Sequence, residues 1–176
     1  AFMADSVMDV IADEAYEGAL AIILDTSARK LISDDRYTLA KRTARMDHHI
    51  FCEKIADVEL TDTSFESCAG LVAAFAKECG LRLTPLAAKS LYTGMITDSG
   101  RFRYDSTSSQ TFLIAAYLFE QEFDTNDIYR NLYADELEFI QLRARFTLKI
   151  STTPCRVSYI YTTLDEAKNY GVDNFT

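Results

Sequence analysis

The chain has 176 residues, 48% hydrophobic and 26% charged, with six glycines and two prolines. That is enough apolar material for one full domain, and it excludes a loop-rich or disordered chain. A net charge of −9 and a pI of about 4.7 exclude a broad duplex-DNA face but not a small phosphorylated ligand held through a cation.

No run of about 18 apolar residues exists, so no membrane partner is expected. The opening AFMADSVMDV lacks the basic region of a signal peptide. Cys52, Cys68, Cys79 and Cys155 form no C-x-x-C pair, which reads as reduced thiols in a cytoplasmic protein.

In chain order, a helix is expected over 3–16, then a buried parallel strand in GALAIILD (18–25) that ends in an acid. SDDRYTLAKRTA (33–44) reads as a helix capped by Ser33, after which a short strand leads into Asp47. KIADVELTD (54–62) alternates weakly, as a strand does. Thr63 and Glu66 form a capping-box pattern before a helix whose face is Cys68, Leu71, Phe75 and Cys79, stopped by Gly80. Thr84 and Pro85 start another, with Leu83, Ala87, Leu91 and Met95 on one side.

Thr107 and Gln110 repeat the capping pattern ahead of Phe112, Ala116, Phe119 and Phe123. A short helix over 126–133 precedes a longer one from about 136, with Phe139, Leu142, Phe146 and Ile150 as its buried stripe. STTP (151–154) reads as a linker. CRVSYIYTT then opens a second domain as a strand, and Thr163 with Glu166 caps a last short helix. The expectation is an α/β domain over 1–150, a parallel sheet flanked by helices with a helical half, then the start of a smaller α/β domain over 155–176.

Three segments place an aspartate where a regular element ends: IILDTS (22–27), MDHHI (46–50) and GMITDSGRF (94–102). Ligands of open α/β sheets bind at the carboxyl ends of strands. Carboxylates with imidazoles, and no paired cysteines, suit a divalent ion such as Mn²⁺. Taken singly, each feature has an ordinary explanation. An aspartate after a strand is commonly a turn residue, a histidine pair is commonly packed or exposed, and Arg101 with Arg103 is commonly a solvated turn. Cys52, four residues after His48, hints at zinc, but a structural zinc site needs four ligands and this sequence has no further histidine.

Together, D-H-H preceded by L-D-T and followed by T-D-S-G-R-F resembles the DHH phosphoesterase superfamily. The closest likeness is to its bacterial branch that combines oligoribonuclease and 3′-phosphoadenosine-5′-phosphate phosphatase activity. DDRY (34–37), Asp62-Thr63-Ser64 and GRFRYDST (100–107) share in the likeness. The resemblance implies hydrolysis of phosphate esters with two Mn²⁺ ions, Mg²⁺ or Co²⁺ being alternatives. It implies short single-stranded RNA and nucleoside bisphosphates as substrates. Asp25, His48 and Asp98 would be metal ligands, Asp47 would orient an imidazole, and His49 would meet the substrate phosphate or protonate the leaving oxygen. Arg101 and Arg103 would bind the anion, and Ser99 and Gly100 would let the backbone approach it.

The family's first motif, an H-x-x-P-D-x-D-type segment, is absent, as is the glycine-rich motif of its second domain. The chain is therefore expected to be a fragment, inactive alone. Other branches (cyclic-dinucleotide phosphodiesterase, inorganic pyrophosphatase) and a non-catalytic nucleotide-binding module stay open. Apolar residues along the helical half suit either a core or a homodimer interface.

Overall fold

A computed structural model describes residues 11–133 and 137–171. Its organising element is a parallel sheet of β1 (Leu20–Leu24), β2 (Arg42–Asp47) and β3 (Val58–Thr61) in that spatial order. The register aligns Leu24 with Met46 and Asp47 with Thr61. The ladder runs one residue further at each junction: the Asp25 N–H donates to Met46 O (3.1 Å) and the Asp62 N–H to Asp47 O (3.0 Å). All three strands thus end at one edge. The period-2 geometry sends Ile23 and Arg45 to one face, while Ile22 and Met46 point to the other.

Most of the expected 3–16 helix lies outside the described residues; its described end, Asp13–Tyr16, is a 3₁₀ turn. The expected 33–44 helix is instead a 3₁₀ turn over Asp35–Leu39, capped by Asp34 rather than Ser33. The Asp34 carboxylate accepts from both the backbone and the side chain of Arg36. Local bonding of this kind competes with a regular helix, and β2 claims the chain from Arg42.

Helices α1 (Cys68–Glu78), α2 (Pro85–Asp98) and α3 (Ser109–Phe119) pack on one another, and α1 also packs on β2. The cap of α1 is Ser67, whose hydroxyl accepts from Gly70 N. The Thr63–Glu66 box does not form, because Asp62 holds Ser64 in a tight turn and Glu66 is drawn into the core. There Glu66 accepts from the hydroxyls of Thr111 (2.8 Å) and Ser67 (3.0 Å). Gly80 ends α1 as expected: its φ is +64°, and Gly80 N and Leu81 N return to Lys77 O and Ala76 O. Thr84 and Pro85 start α2 as the sequence indicates.

The buried faces of α2 and α3 are rotated from the expected stripes. On α2 they are Ala88, Tyr92, Met95 and Ile96. On α3 the cap is Ser108 with Thr111, one residue later than Thr107 with Gln110, and Ile114, Ala115 and Leu118 are buried. The buried face of α3 thus lies one residue before the expected stripe, about 100° around the helix, and Phe112 and Phe119 stay half exposed. Tyr92 gathers Phe102, Phe119 and Phe123 into an aromatic cluster that Phe112 joins through Phe102.

The described residues fall into two compact units that divide within α4 (Thr125–Tyr133), one ending at Ile128 and the other beginning at Tyr129. The domain assignment, which rests on resemblance, remains a proposal. In the second unit, α5 (Leu137–Leu148) buries none of its residues, and Phe139 and Ile150 of its expected stripe are exposed. The linker residues Ser151–Thr152 form β4, which pairs antiparallel with β5 (Ser158–Tyr159). The Thr163–Glu166 box caps α6 (Leu164–Asn169) as expected, and Lys149 pairs with Glu166 at 2.6 Å.

Candidate metal centre

The carboxyl edge of the sheet brings the three aspartate segments together. Asp25 follows β1, His48 and His49 follow β2, and Asp98 is the last residue of α2. His48 Nε2 lies 3.5 Å from an Asp25 oxygen and 3.2 Å from an Asp98 oxygen. Its Nδ1 lies 3.2 Å from the carbonyl oxygen of Phe65, in the turn before α1. A carbonyl only accepts, so Nδ1 carries a proton, and Nε2 is the nitrogen left facing the two carboxylates. With Nε2 unprotonated, that is the tautomer a metal requires, held by the kind of support that ligating histidines have.

His49 is fixed differently. Its Nδ1 donates to Asp47 Oδ1 at 2.7 Å, and its backbone N–H donates to the same oxygen. Asp47 is fully buried, and its Oδ2 has no hydrogen-bond partner. The imidazole that Asp47 orients is therefore that of His49, whereas a main-chain carbonyl orients His48. Donor atoms of Asp25, His48 and His49 all lie within 4.8 Å of one another.

The electrostatics match. Burial raises the Asp98 carboxyl above its usual range; the His48 ring opposes this and the Asp25 charge adds to it. The hydrogen bond to Asp47 raises His49, and the charges of Asp47, Asp25 and Asp98 add to it against burial. A cation would relieve the crowding of carboxylates. Two donors about 2.1 Å from one ion, at octahedral or tetrahedral angles, stand about 3.0–3.4 Å apart. The spacings of 3.2 and 3.5 Å around His48 Nε2 are close to that range. Among the described residues no cysteine joins the cluster. Cys68 is buried nearby, donating to Met46 O, and its thiol is pushed up to about 11, chiefly by burial.

Asp25 has a left-handed backbone, φ +58°. For a residue with a Cβ this costs about 1–2 kcal/mol and persists only where the surroundings hold it. A second left-handed stretch follows Asp98: Gly100, Arg101 and Phe102 have φ of +57°, +67° and +59°. Ser99 closes it, its hydroxyl donating to Met95 O (2.5 Å) and accepting from Phe102 N (2.9 Å).

Ser99 is fully buried and its hydroxyl serves the turn, which leaves the expected approach of an anion to the backbone. At Gly100 a Cβ would come within 2.5 Å of the Tyr104 ring. The glycine is therefore required by that packing as well as by its φ. Arg101 is exposed beyond Asp98, and Arg103 bends back to donate from Nε to Gly100 O at 2.8 Å.

Sequence reasoning passed over Arg45 and Glu59. They are partners across β2 and β3, joined by a salt bridge (3.1 Å) whose arginine is fully buried and whose glutamate is partly so. An arginine two residues before an aspartate in a short strand was the available signal, since alternate residues share a face.

No family model matches the chain. It is 36% identical over 137 residues to the probable bifunctional oligoribonuclease and PAP phosphatase of Streptococcus mutans, covering 78% of this chain and 44% of that protein. It is 28% identical over 167 residues to the bifunctional oligoribonuclease and PAP phosphatase of Bacillus subtilis, covering 93% and 53%. An uncharacterized protein of Mycoplasma genitalium is 33% identical over 162 residues, covering 92% and 50%. The chain spans about half the length of the curated relatives it matches. An exopolyphosphatase-related protein from Bacteroides fragilis superimposes with a TM-score of 0.77 over 86% of this chain and 47% of that one, at 24% identity. That likeness is one of fold, and it agrees with the expected α/β sheet flanked by helices.

Proposed function

We propose, from the premise that this chain is a relative of the DHH phosphoesterases, that it carries part of the active centre of a metal-dependent phosphoesterase. Its substrates are short single-stranded oligoribonucleotides and 3′-phosphoadenosine 5′-phosphate, the reactions for which its curated relatives are named. The observation that carries this reading is Nε2 of His48, turned toward Asp25 and Asp98 at the carboxyl edge of a parallel sheet.

Asp25, His48 and Asp98 are the residues that would hold the cation, with Mn²⁺ the ion that suits their donor set. When bound, such an ion polarises a phosphoryl oxygen and lowers the pKa of a water. His49 does the proton work. Asp47 holds its Nδ1–H and favours the charged ring, leaving the Nε2 proton for the departing ribose oxygen. Arg101 contributes a planar fork of donors suited to two phosphoryl oxygens. Arg103 is a secondary contact whose Nε is already engaged. Substrate selection would then lie largely with residues beyond this site, since the cation and Arg101 recognise only phosphate.

The test is hydrolysis by the full-length gene product with Mn²⁺. A short oligoribonucleotide, 3′-phosphoadenosine 5′-phosphate, a cyclic dinucleotide and inorganic pyrophosphate would be run side by side. The reading expects the first two to be turned over, and His48→Ala and Asp98→Ala to abolish both activities in folded protein. Normal turnover by those variants overturns the site. Preference for pyrophosphate or the cyclic dinucleotide overturns the substrate assignment. No turnover of any substrate points to a nucleotide-binding module.

A further inference from the structure

We propose that Arg45 is a positioning residue that fixes the left-handed backbone of Asp25 relative to His48, with Glu59 as its anchor. The proposal rests on the reading of Asp25 and His48 as ligands of one cation.

Arg45 sits on β2, two residues before Asp47 and on the same face of the sheet. Its side chain is completely buried. The guanidinium does not point to solvent or to a substrate; it reaches two loops. One terminal nitrogen faces the carbonyls of Thr26 and Ser27 (both 3.5 Å) and of Glu53 (3.3 Å). The other pairs with Glu59 Oε2 at 3.1 Å. Thr26 and Ser27 directly follow Asp25. Glu53 belongs to the loop that leaves the histidine pair. This planar cation therefore joins the loop carrying Asp25 to the loop carrying His48, alongside Arg29, whose N–H and guanidinium donate to Glu53 Oε1 and Lys54 O (both 2.9 Å).

Glu59 extends the tie. Its Oε1 accepts from Ile55 N (2.6 Å) and Ala56 N (3.0 Å), which holds the far end of the histidine loop against β3. The Phe51 ring lies 5.3 Å from the guanidinium carbon on the loop side. Asp25 itself is held on its upstream side, where its N–H donates to Met46 O (3.1 Å) and the Thr26 hydroxyl donates to Leu24 O (3.2 Å). On its downstream side the Arg45 guanidinium meets the carbonyls of the next two residues, and Arg29 ties the loop further on to Glu53 and Lys54 O. A left-handed non-glycine residue reverts to ordinary backbone unless both flanks are held, and reversion would swing the carboxylate away from His48 Nε2. Lysine cannot substitute, because a point ammonium lacks the fork that addresses several acceptors at once.

Two variants of the whole chain test this. Arg45→Lys keeps the charge that Glu59 requires. The double variant Arg45→Met/Glu59→Gln removes the buried pair yet leaves an amide oxygen for Ile55 N and Ala56 N, and it carries the test should the lysine variant fail to fold. Two readouts are taken on folded protein: the Asp25 backbone conformation by NMR in the absence of metal, and Mn²⁺ affinity by titration. The expected result is loss of the left-handed signature at Asp25 and about tenfold or more weaker Mn²⁺ binding, the range for lost support of metal ligands. A folded variant that lowers Tm while keeping the Asp25 conformation overturns the proposal, since its role would then be structural only. Should the parent chain bind no Mn²⁺, the cation reading fails, and the NMR readout still decides whether Arg45 sets the Asp25 backbone.

Discussion

The carbonyl oxygen of Phe65 accepts a hydrogen bond from His48 Nδ1 at 3.2 Å, across seventeen residues of sequence. This one bond sets the tautomer of the ring and so decides that Nε2, and not Nδ1, faces Asp25 and Asp98. Because the carbonyl belongs to main chain, no substitution at residue 65 removes it. The metal-ready state of His48 follows from the turn that leads into α1.

Metal binding by the chain should therefore depend on His48 and Asp98 more than on His49. Titration with Mn²⁺ should show binding lost in His48→Ala and in Asp98→Ala. His49→Gln should retain most of it, because Asp47 still receives a donor and His48 is untouched. Equal losses in all three variants would make His49 a ligand rather than a proton carrier.

Stability without metal should fall as pH rises from the ordinary imidazole value of about 6.5 through the raised value of His49. His49 binds its proton more tightly in the folded state than unfolded, owing to Asp47. Its contribution is complete below the ordinary imidazole value and is lost as pH passes the raised one. Asp98, raised by burial, acts with the same sign at lower pH. The carboxylates held low by partners, among them Asp57, Asp62 and Glu166, lose their contribution only in acid, outside this window. Urea midpoints across the window should slope downward for the parent and be flat for His49→Gln.

Thiol labelling should distinguish the cysteines sharply. Cys52, Cys79 and Cys155 are exposed and Cys68 is buried, its thiol held up to about 11. A thiolate-selective reagent near neutral pH should modify three sites in the folded chain and the fourth only after denaturation. Fast labelling of Cys68 in native protein would contradict the packing of α1 on β2.

Ser99→Ala should destabilise the fold by about 1–3 kcal/mol, since Phe102 N–H and Met95 O lose a buried partner. Thermal unfolding measures this. Binding of a phosphate analogue should weaken only in proportion to the loosening of the turn that carries Arg101. A Ser99→Ala variant with unchanged Tm but abolished phosphate binding would show that the hydroxyl itself contacts the anion.

The sequence by itself determined where the aspartate-ended segments and the histidine pair lie along the chain. An apolar run closed by Asp25, a strand closed by Asp47 with both histidines behind it, and a Pro-started helix ending at Asp98 were all legible. Strand and helix periodicity, and the proline and glycine signals, act over a few residues. What the tertiary structure alone decided was the division of labour. Phe65 rather than Asp47 supports His48, Asp47 supports His49, Ser99 faces inward, and Arg45 with Glu59 joins two loops. The helix faces also shifted by a residue where Glu66 met Thr111 and Ser108 took the cap. Each outcome depends on a hydrogen-bond partner far away in the chain, and burial makes that partner obligatory. Local pattern carries no record of which distant carbonyl or carboxylate will arrive; the register of the sheet and the packing of the helices do.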